Sequence, residues 1–290
     1  MTLDDCRRFY AQEIRFAAKL KSDALIQAFA RVPREKFLGP PPWQIGSPEG
    51  RGLAMAGLGN LVYEESSDPQ DVYHNVVIAL DRAADVNNGQ PSALARWIEA
   101  LDLKPGDHAY HLGCGVGYYT AIMAEVVGPG GNVIGSEVHP GLAARARENL
   151  TPYPNVTVYA GDGTAFDPGV RDAILVNAGC THPQPAWLHA LRDGGRLVLP
   201  LTISVNPTLG QGPMVRITRR GDAFAAEIVT FVAIFSCTSM RDPQLEPLLM
   251  KALTNKSLLK IKSVRLDPHD AEETCSVHGP VCLSTKELGP

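Results

Sequence analysis

The residues with the clearest chemical meaning lie in one short run, His111-Leu112-Gly113-Cys114-Gly115-Val116-Gly117-Tyr118-Tyr119, between an apolar segment and a helix-forming one. Glycines at 113, 115 and 117 remove side chains where a ligand would press on the backbone, and a helix starting beyond them offers free N–H groups. Two acids follow in register. Glu137 ends the next apolar run, 24 residues after Gly113, close to the roughly 20 expected of an acid that accepts hydrogen bonds from a ribose. Asp162, flanked by Gly161 and Gly163, follows the third run, where a carboxylate can accept from an adenine amino group. A dinucleotide loop of the G-x-G-x-x-G type wants its third glycine at position 118, which is Tyr118. An adenosyl ligand without a pyrophosphate therefore fits better than a nicotinamide cofactor, and S-adenosylmethionine is the common one.

A methyl on a sulfonium is already activated, so transfer mainly requires a nucleophile held opposite the sulfur. A carboxylate acceptor is deprotonated at neutral pH and needs no base, whereas a phenol or ammonium does. No catalytic triad or acid pair stands out. The candidates for the acceptor side are Asn87, Asn88 and Gln90, ahead of a predicted helix, and Asn177 to His182, after the fourth strand. Of these, His182 and Asn88 are the catalytic candidates. Plainer roles compete with them. His182 sits in a Thr-His-Pro turn suited to a surface histidine, and Asn88 and Gln90 can satisfy backbone at a helix start. Cys114 is read first as a small packing residue, although a helix N-terminus can lower a thiol pKa. Of Tyr118 and Tyr119, one is expected in the core and the other over the ligand. His108 and His111 are assigned to a buried strand.

The elements that must position these groups follow a regular rhythm. Strands are predicted at 108–112, 132–137, 155–160 and 172–177, with a fifth opening at Gly194-Gly195, and helices fall between them. Short apolar runs alternating with amphipathic helices predict a Rossmann-like, doubly wound α/β sheet, whose sites lie at the carboxyl ends of its strands. Residues 3–30 predict a helical extension with Phe9, Ile14, Phe16 and Phe29 among its apolar positions. Residues 39–71 are rich in Gly and Pro and are held as a candidate lid. Past Ser204, MVRITRR and AAEIVTFVAIF predict an antiparallel strand pair turning at Gly221-Asp222. A polar tail is expected from Asp267. The division is thus 1–86 for the extension, 87–204 for cofactor binding and 205–290 for the strand pair and tail.

Composition excludes several classes. The 290 residues are 44% hydrophobic, and 27 Lys+Arg against 31 Asp+Glu leave a charge of -4. Binding to nucleic acid or anionic lipid by bulk charge is not expected. The apolar runs fall far short of the roughly 20 residues of a membrane helix. The first residues carry acids and no apolar leader, so a cytoplasmic location is expected. Six cysteines without a C-x-x-C pair read as reduced thiols. Cys275, His278 and Cys282, with His269 upstream, have the right donor types for zinc but match no standard spacing, and no metal is assigned.

The stretches LKPGDHAYHLGCGVGYYTAIMAEVVG, GSEVHPGLAARARENL, VTVYAGDG, DAILVNAG and LRDGGRLVLPL resemble protein-L-isoaspartate O-methyltransferases in order and spacing. ARVPREKFLGP is similar to that family's N-terminal Val-Pro-Arg segment, and Gly89-Gln90 to its Gly-Gln. The resemblance spans about residues 25–203. It implies a class I fold with S-adenosylmethionine as cofactor. Gly113, Gly115 and Gly117 would face the methionine portion, Glu137 with Val138 the ribose, and Asp162 with Gly163 the adenine. Cys114, Tyr118, Gln90 and Asn177 complete the expected cofactor set. The family's Thr-Ile-Ser after Gly-Gln is missing, since Pro91-Ser92 follows Gln90 directly. The leading expectation is methyl transfer to an oxygen, a carboxylate of a peptide or modified peptide. A small-molecule O- or N-methyltransferase and a non-catalytic cofactor-binding module are the alternatives, both favoured by the missing segment over strict isoaspartyl repair.

Overall fold

Helix formation starts at Thr2, whose hydroxyl and Asp5 form a capping box. The computed structural model describes residues 1–47, 61–82 and 86–288. The predicted extension is two helices, α1 (Leu3–Ala18) and α2 (Asp23–Arg31). Lys19 takes a left-handed φ of 57° and Ser22 caps α2, which breaks the expected single helix. Ile14 and Phe29 are buried as predicted, but Phe9 and Phe16 are 67% and 85% exposed, because their mixed spacing puts them on the outer face. Short strands β1 (Trp43–Gly46) and β2 (Tyr63–Ser66) pair antiparallel, as do β3 (Ala79–Asp81) and β4 (Val86–Asn87). The centre of the candidate lid, 48–60, lies outside the described residues.

Helix α3 (Pro91–Ala100) begins with Pro91 in its first turn. Then come β5 (His108–Leu112), α4 (Tyr118–Val127), β6 (Asn132–Glu137), α5 (Pro140–Asn149), β7 (Val156–Ala160), β8 (Arg171–Val176), α6 (Pro185–Ala190) and β9 (Leu191–Pro200). The strands run parallel in the order β7-β6-β5-β8-β9. Reversal of strand order beside β5 opens a crevice at the carboxyl ends of β5 and its neighbours.

Beyond β9 the same sheet continues antiparallel. A short β10 (Ile203–Ser204) edges β11 (Leu209–Arg220), which pairs with β9 and with β12 (Ala223–Phe235). The turn falls at Gly221-Asp222, as the sequence predicts. After α7 (Leu245–Thr254) come β13 (Ser263–Arg265), β14 (Cys275–Val277) and β15 (Cys282–Ser284), which extend the sheet to β14. The tail is therefore not merely polar. Val277, Val281, Cys282 and Leu283 are all buried.

Alternation along the strands divides the core between two faces. Ala109, Ala173, Leu175 and Val198 join a cluster with α1 to α5. Tyr110, Leu112, Ile174, Leu197 and Leu199 join another with α6, α7 and the C-terminal strands. Strands buried on both faces explain the continuous apolar runs.

Candidate active site

All three glycines of the loop after β5 take positive φ, at 75°, 58° and 90° for Gly113, Gly115 and Gly117. Gly117 is the strictest position, since a Cβ there would lie 2.6 Å from Leu150 Cδ1. The loop is tied to β6 by Gly113 N and Cys114 N, each donating to Ser136 O at 2.9 Å. Glu137, at the tip of β6 and 8% exposed, accepts from Gly115 N (2.9 Å) and from His139 N (2.9 Å), one per carboxylate oxygen. Nothing stands within 4 Å of where a Gly115 Cβ would be. The loop's open side is there.

Asp162 follows β7. Its Oδ1 accepts from Thr164 N (2.9 Å), Thr164 Oγ1 (2.8 Å) and Ser239 Oγ (3.3 Å), while Oδ2 has no partner among the described residues. Burial pushes this carboxyl up, but those hydrogen bonds outweigh it and hold the group below the ordinary value, so it is ionised at neutral pH. At Gly163 a Cβ would overlap Ser136 Oγ and come within 2.5 Å of Tyr110 Oη. Tyr110 Oη donates to Gly163 O at 2.8 Å. Only a glycine lets that turn close on β5 and β6.

Asn177, at the end of β8, donates through Nδ2 to Gly113 O at 3.1 Å and so fixes the loop from the other side. Val138 is 69% exposed beside Glu137. Cys114 is buried, and burial, with the Glu137 charge, pushes its thiol far up, so it is a packing residue. The Tyr118 side chain does not face the loop. It is 2% exposed, edge-on to Phe37, Phe29 and Tyr119 with centroids 5.5, 6.4 and 5.0 Å away. The first turn of α4 points it into the N-terminal helices. Tyr119 donates to Gly89 O at 3.4 Å, and neither tyrosine covers the loop.

The Asn87–Gln90 segment is held by a relay that starts in the extension. Arg34 is fully buried and donates to the carbonyls of Val72 (2.6 Å), His74 (2.8 Å) and Val76 (2.7 Å), with Tyr10 and Tyr118 rings near its guanidinium. That fixes Asn75, whose Oδ1 accepts from Gln90 Nε2 (2.9 Å) and Ser92 N (3.0 Å). Asn88 exchanges two hydrogen bonds with Ile78, accepting through Oδ1 at 2.8 Å. Asn88 Nδ2 and Gln90 Oε1 are buried and without a partner among the described residues. One is a spare donor and the other a spare acceptor.

His182 is half-buried, and burial lowers its pKa, so it is neutral at pH 7. Thr181 Oγ1 spends its proton on Met240 O (3.0 Å). The 2.9 Å bond between Thr181 Oγ1 and His182 Nδ1 is then donated by the histidine, which leaves Nε2 as an acceptor.

These residues fit an adenosyl cofactor: a bare turn open at Gly115, acids at the tips of β6 and β7, and a cradle at Gly163 that a Cβ would fill. Ser239, Thr164, Tyr110 and Arg34 escape the sequence reading. Ser239 reaches Asp162 only through the antiparallel extension, and Arg34 carries the single signal of a Val-Pro-Arg run. Far from this site, His269, Cys275, His278 and Cys282 come together, with ligand atoms all within 4.8 Å of one another.

Fold and site define a class I S-adenosylmethionine-dependent methyltransferase. Residues 54–239 match the sequence profile of protein-L-isoaspartate(D-aspartate) O-methyltransferase. The protein-L-isoaspartate O-methyltransferase of Methylorubrum extorquens is 33% identical over 235 residues, covering 78% of this chain and 87% of that protein. That of Ignicoccus hospitalis is 33% identical over 186 residues, covering 63% and 75%. The chain belongs to the protein-L-isoaspartate O-methyltransferase family. A solved protein-L-isoaspartate O-methyltransferase shares the fold with a TM-score of 0.62 at 22% identity, over 87% of this chain and 71% of that one.

Among the described residues, no helix is long and apolar enough to cross a membrane.

Proposed function

We propose that the protein transfers a methyl group to a carboxylate oxygen of a peptide or modified peptide. The observation that carries this reading is the Asn88 amide, a buried donor left unpaired on the segment that abuts the glycine-loop helix through Tyr119 and Gly89. An unpaired buried donor calls for an oxygen with a free lone pair, and a carboxylate, which only accepts, meets that need without adding a donor of its own. Gln90 Oε1, two residues on, would take a peptide N–H. S-adenosylmethionine, when bound, supplies a methyl already activated on a sulfonium.

The chain's own work is then positioning. Gly113, Gly115 and Gly117 let the methionine portion approach the backbone, and Glu137 with Val138 beside it receives the ribose. Asp162 and Gly163 receive the adenine, and Asn177 steadies the loop. Asn88 orients the acceptor oxygen, which needs no base. Residues 87–204 serve as the cofactor unit, with 1–86 as the N-terminal extension and 205–290 as the strand pair and tail. Six unbonded cysteines support a cytoplasmic location.

The test is incubation with labelled S-adenosylmethionine and peptides that differ only in a free isoaspartyl or side-chain carboxylate. Base-labile label on the carboxylate peptide is expected. Asn88→Asp, which keeps the bond to Ile78 N but sets an anion beside the acceptor, should lower kcat/KM about 100-fold and leave cofactor Kd unchanged. Methyl found on a phenol or amine, with none on carboxylate, would sink the proposal. His182 gives that second reading its footing: a neutral imidazole with Nε2 free can deprotonate such an acceptor. His182→Gln should change carboxylate transfer by no more than about threefold, whereas base catalysis would be lost with it. A cofactor-binding module without transfer would label nothing.

A further inference from the structure

We propose that His269, Cys275, His278 and Cys282 bind one zinc ion, which clamps the C-terminal hairpin of the sheet. Tetrahedral zinc, with bonds of about 2.0–2.3 Å, sets neighbouring donors roughly 3.3–3.8 Å apart. His269 Nε2 and Cys275 Sγ are 3.6 Å apart, and all four donors fall within 4.8 Å of one another. The two imidazole rings meet edge to face with centroids 5.0 Å apart.

The surroundings hold the donors as a metal site requires. His269 Nδ1 lies 2.7 Å from Asp267 O, so it donates there and turns the Nε2 lone pair toward Cys275. Glu272 N donates to Cys275 Sγ at 3.4 Å. His278 Nδ1 is buried and has no partner among the described residues, an imbalance that a cation at the cluster would remove. Cys282 is fully buried on β15, while Cys275 starts β14 at a bulge in the same ladder. The nearby carboxylates of Asp267 and Glu272 are engaged by Arg265. What remains is two sulfurs and two imidazole nitrogens, a set suited to zinc and poor for calcium or magnesium.

Four protein donors leave no open position, which makes the site structural. Loading would release the thiol protons to solvent, leaving two thiolates that neutralise the ion's charge. The site lies past residue 239, where the family match ends, and stands independently of the proposed methyl acceptor. Its spacing, His-x5-Cys-x2-His-x3-Cys, lacks a familiar signature because the bulge and the Gly279-Pro280 turn, not one regular knuckle, bring the donors together.

Elemental analysis of the full chain, purified without chelator, should find about one zinc per molecule. After chelation under reducing conditions, cobalt(II) titration should reach one equivalent with thiolate charge-transfer and intense tetrahedral bands, and zinc should abolish them. Cys275→Ser should lose the charge-transfer intensity in part and bind zinc at least tenfold more weakly. Should that variant fail to fold, the wild-type cobalt spectrum alone still decides. No stoichiometric zinc together with no tetrahedral cobalt spectrum would overturn the proposal. So would a Cys275–Cys282 disulfide in freshly purified protein, or a cobalt spectrum unchanged in Cys275→Ser.

Discussion

The two ends of one sheet solve the problem of holding a ligand in opposite ways. At the parallel end, strand tips deliver backbone and single carboxylates, and glycines at 113, 115, 117 and 163 clear the space. At the antiparallel end, a short hairpin and the segment before it deliver four side chains to one point, and the backbone there contributes only hydrogen bonds to them. The first arrangement is repeated strand after strand, so its spacing is regular along the chain. The second depends on one bulge and one turn, and its spacing is particular to this hairpin. The lesson is that a site built from backbone announces itself through glycine, while a site built from side chains waits for the fold.

The comparison is best broken at the hairpin. Leu283 is 1% exposed and pairs with Val264 and Val277 inside the second core cluster. Leu283→Ala should lower unfolding stability by about 2–5 kcal/mol, read by urea denaturation, while calorimetry on the folded variant finds S-adenosylmethionine affinity unchanged. A matching loss of affinity would mean that the two ends are not independent.

A smaller change falls at the parallel end. Asp162→Ala should weaken S-adenosylmethionine binding by about 1–3 kcal/mol and leave zinc content untouched. Unchanged affinity would remove Asp162 from the adenine site.

The smallest effect is a proton. Burial drives the pKa of His111, in the central strand, down to about 3, against about 6.5 in an unfolded chain. Between those values the unfolded chain holds the extra proton, so the neutral histidine's contribution is full above pH 6.5 and is lost as pH falls toward 3. The wild type should lose roughly 1 kcal/mol more than His111→Gln between pH 6 and 5, measured by denaturation at each pH. Parallel curves would show that the ring is not held neutral.

Much of the parallel half was legible because its strands are short, apolar and spaced by glycine turns. β5 and β6 fall on the residues predicted for them, and Glu137 and Asp162 stand at strand tips as their spacing implied. Tyr118 was misjudged because proximity in sequence to the loop says nothing about which side of α4 a ring leaves from. Phe9 and Phe16 misled through apolar character alone. The hairpin at 275–284 was hidden by its polar flanks: β14 and β15 are only three residues each, too short for a period to show. Ser239 could not be assigned to Asp162 without knowing that β11 and β12 carry the chain back across the sheet.

Arg34 ties these scales together. One guanidinium grips three carbonyls of residues 72–76, and Asn75 in turn grips Gln90 and the start of α3. Fraying of the amino-terminal helices would therefore be felt first at Asn88 and Gln90, and on the acceptor role proposed for them turnover becomes a more sensitive gauge of helix integrity than cofactor affinity.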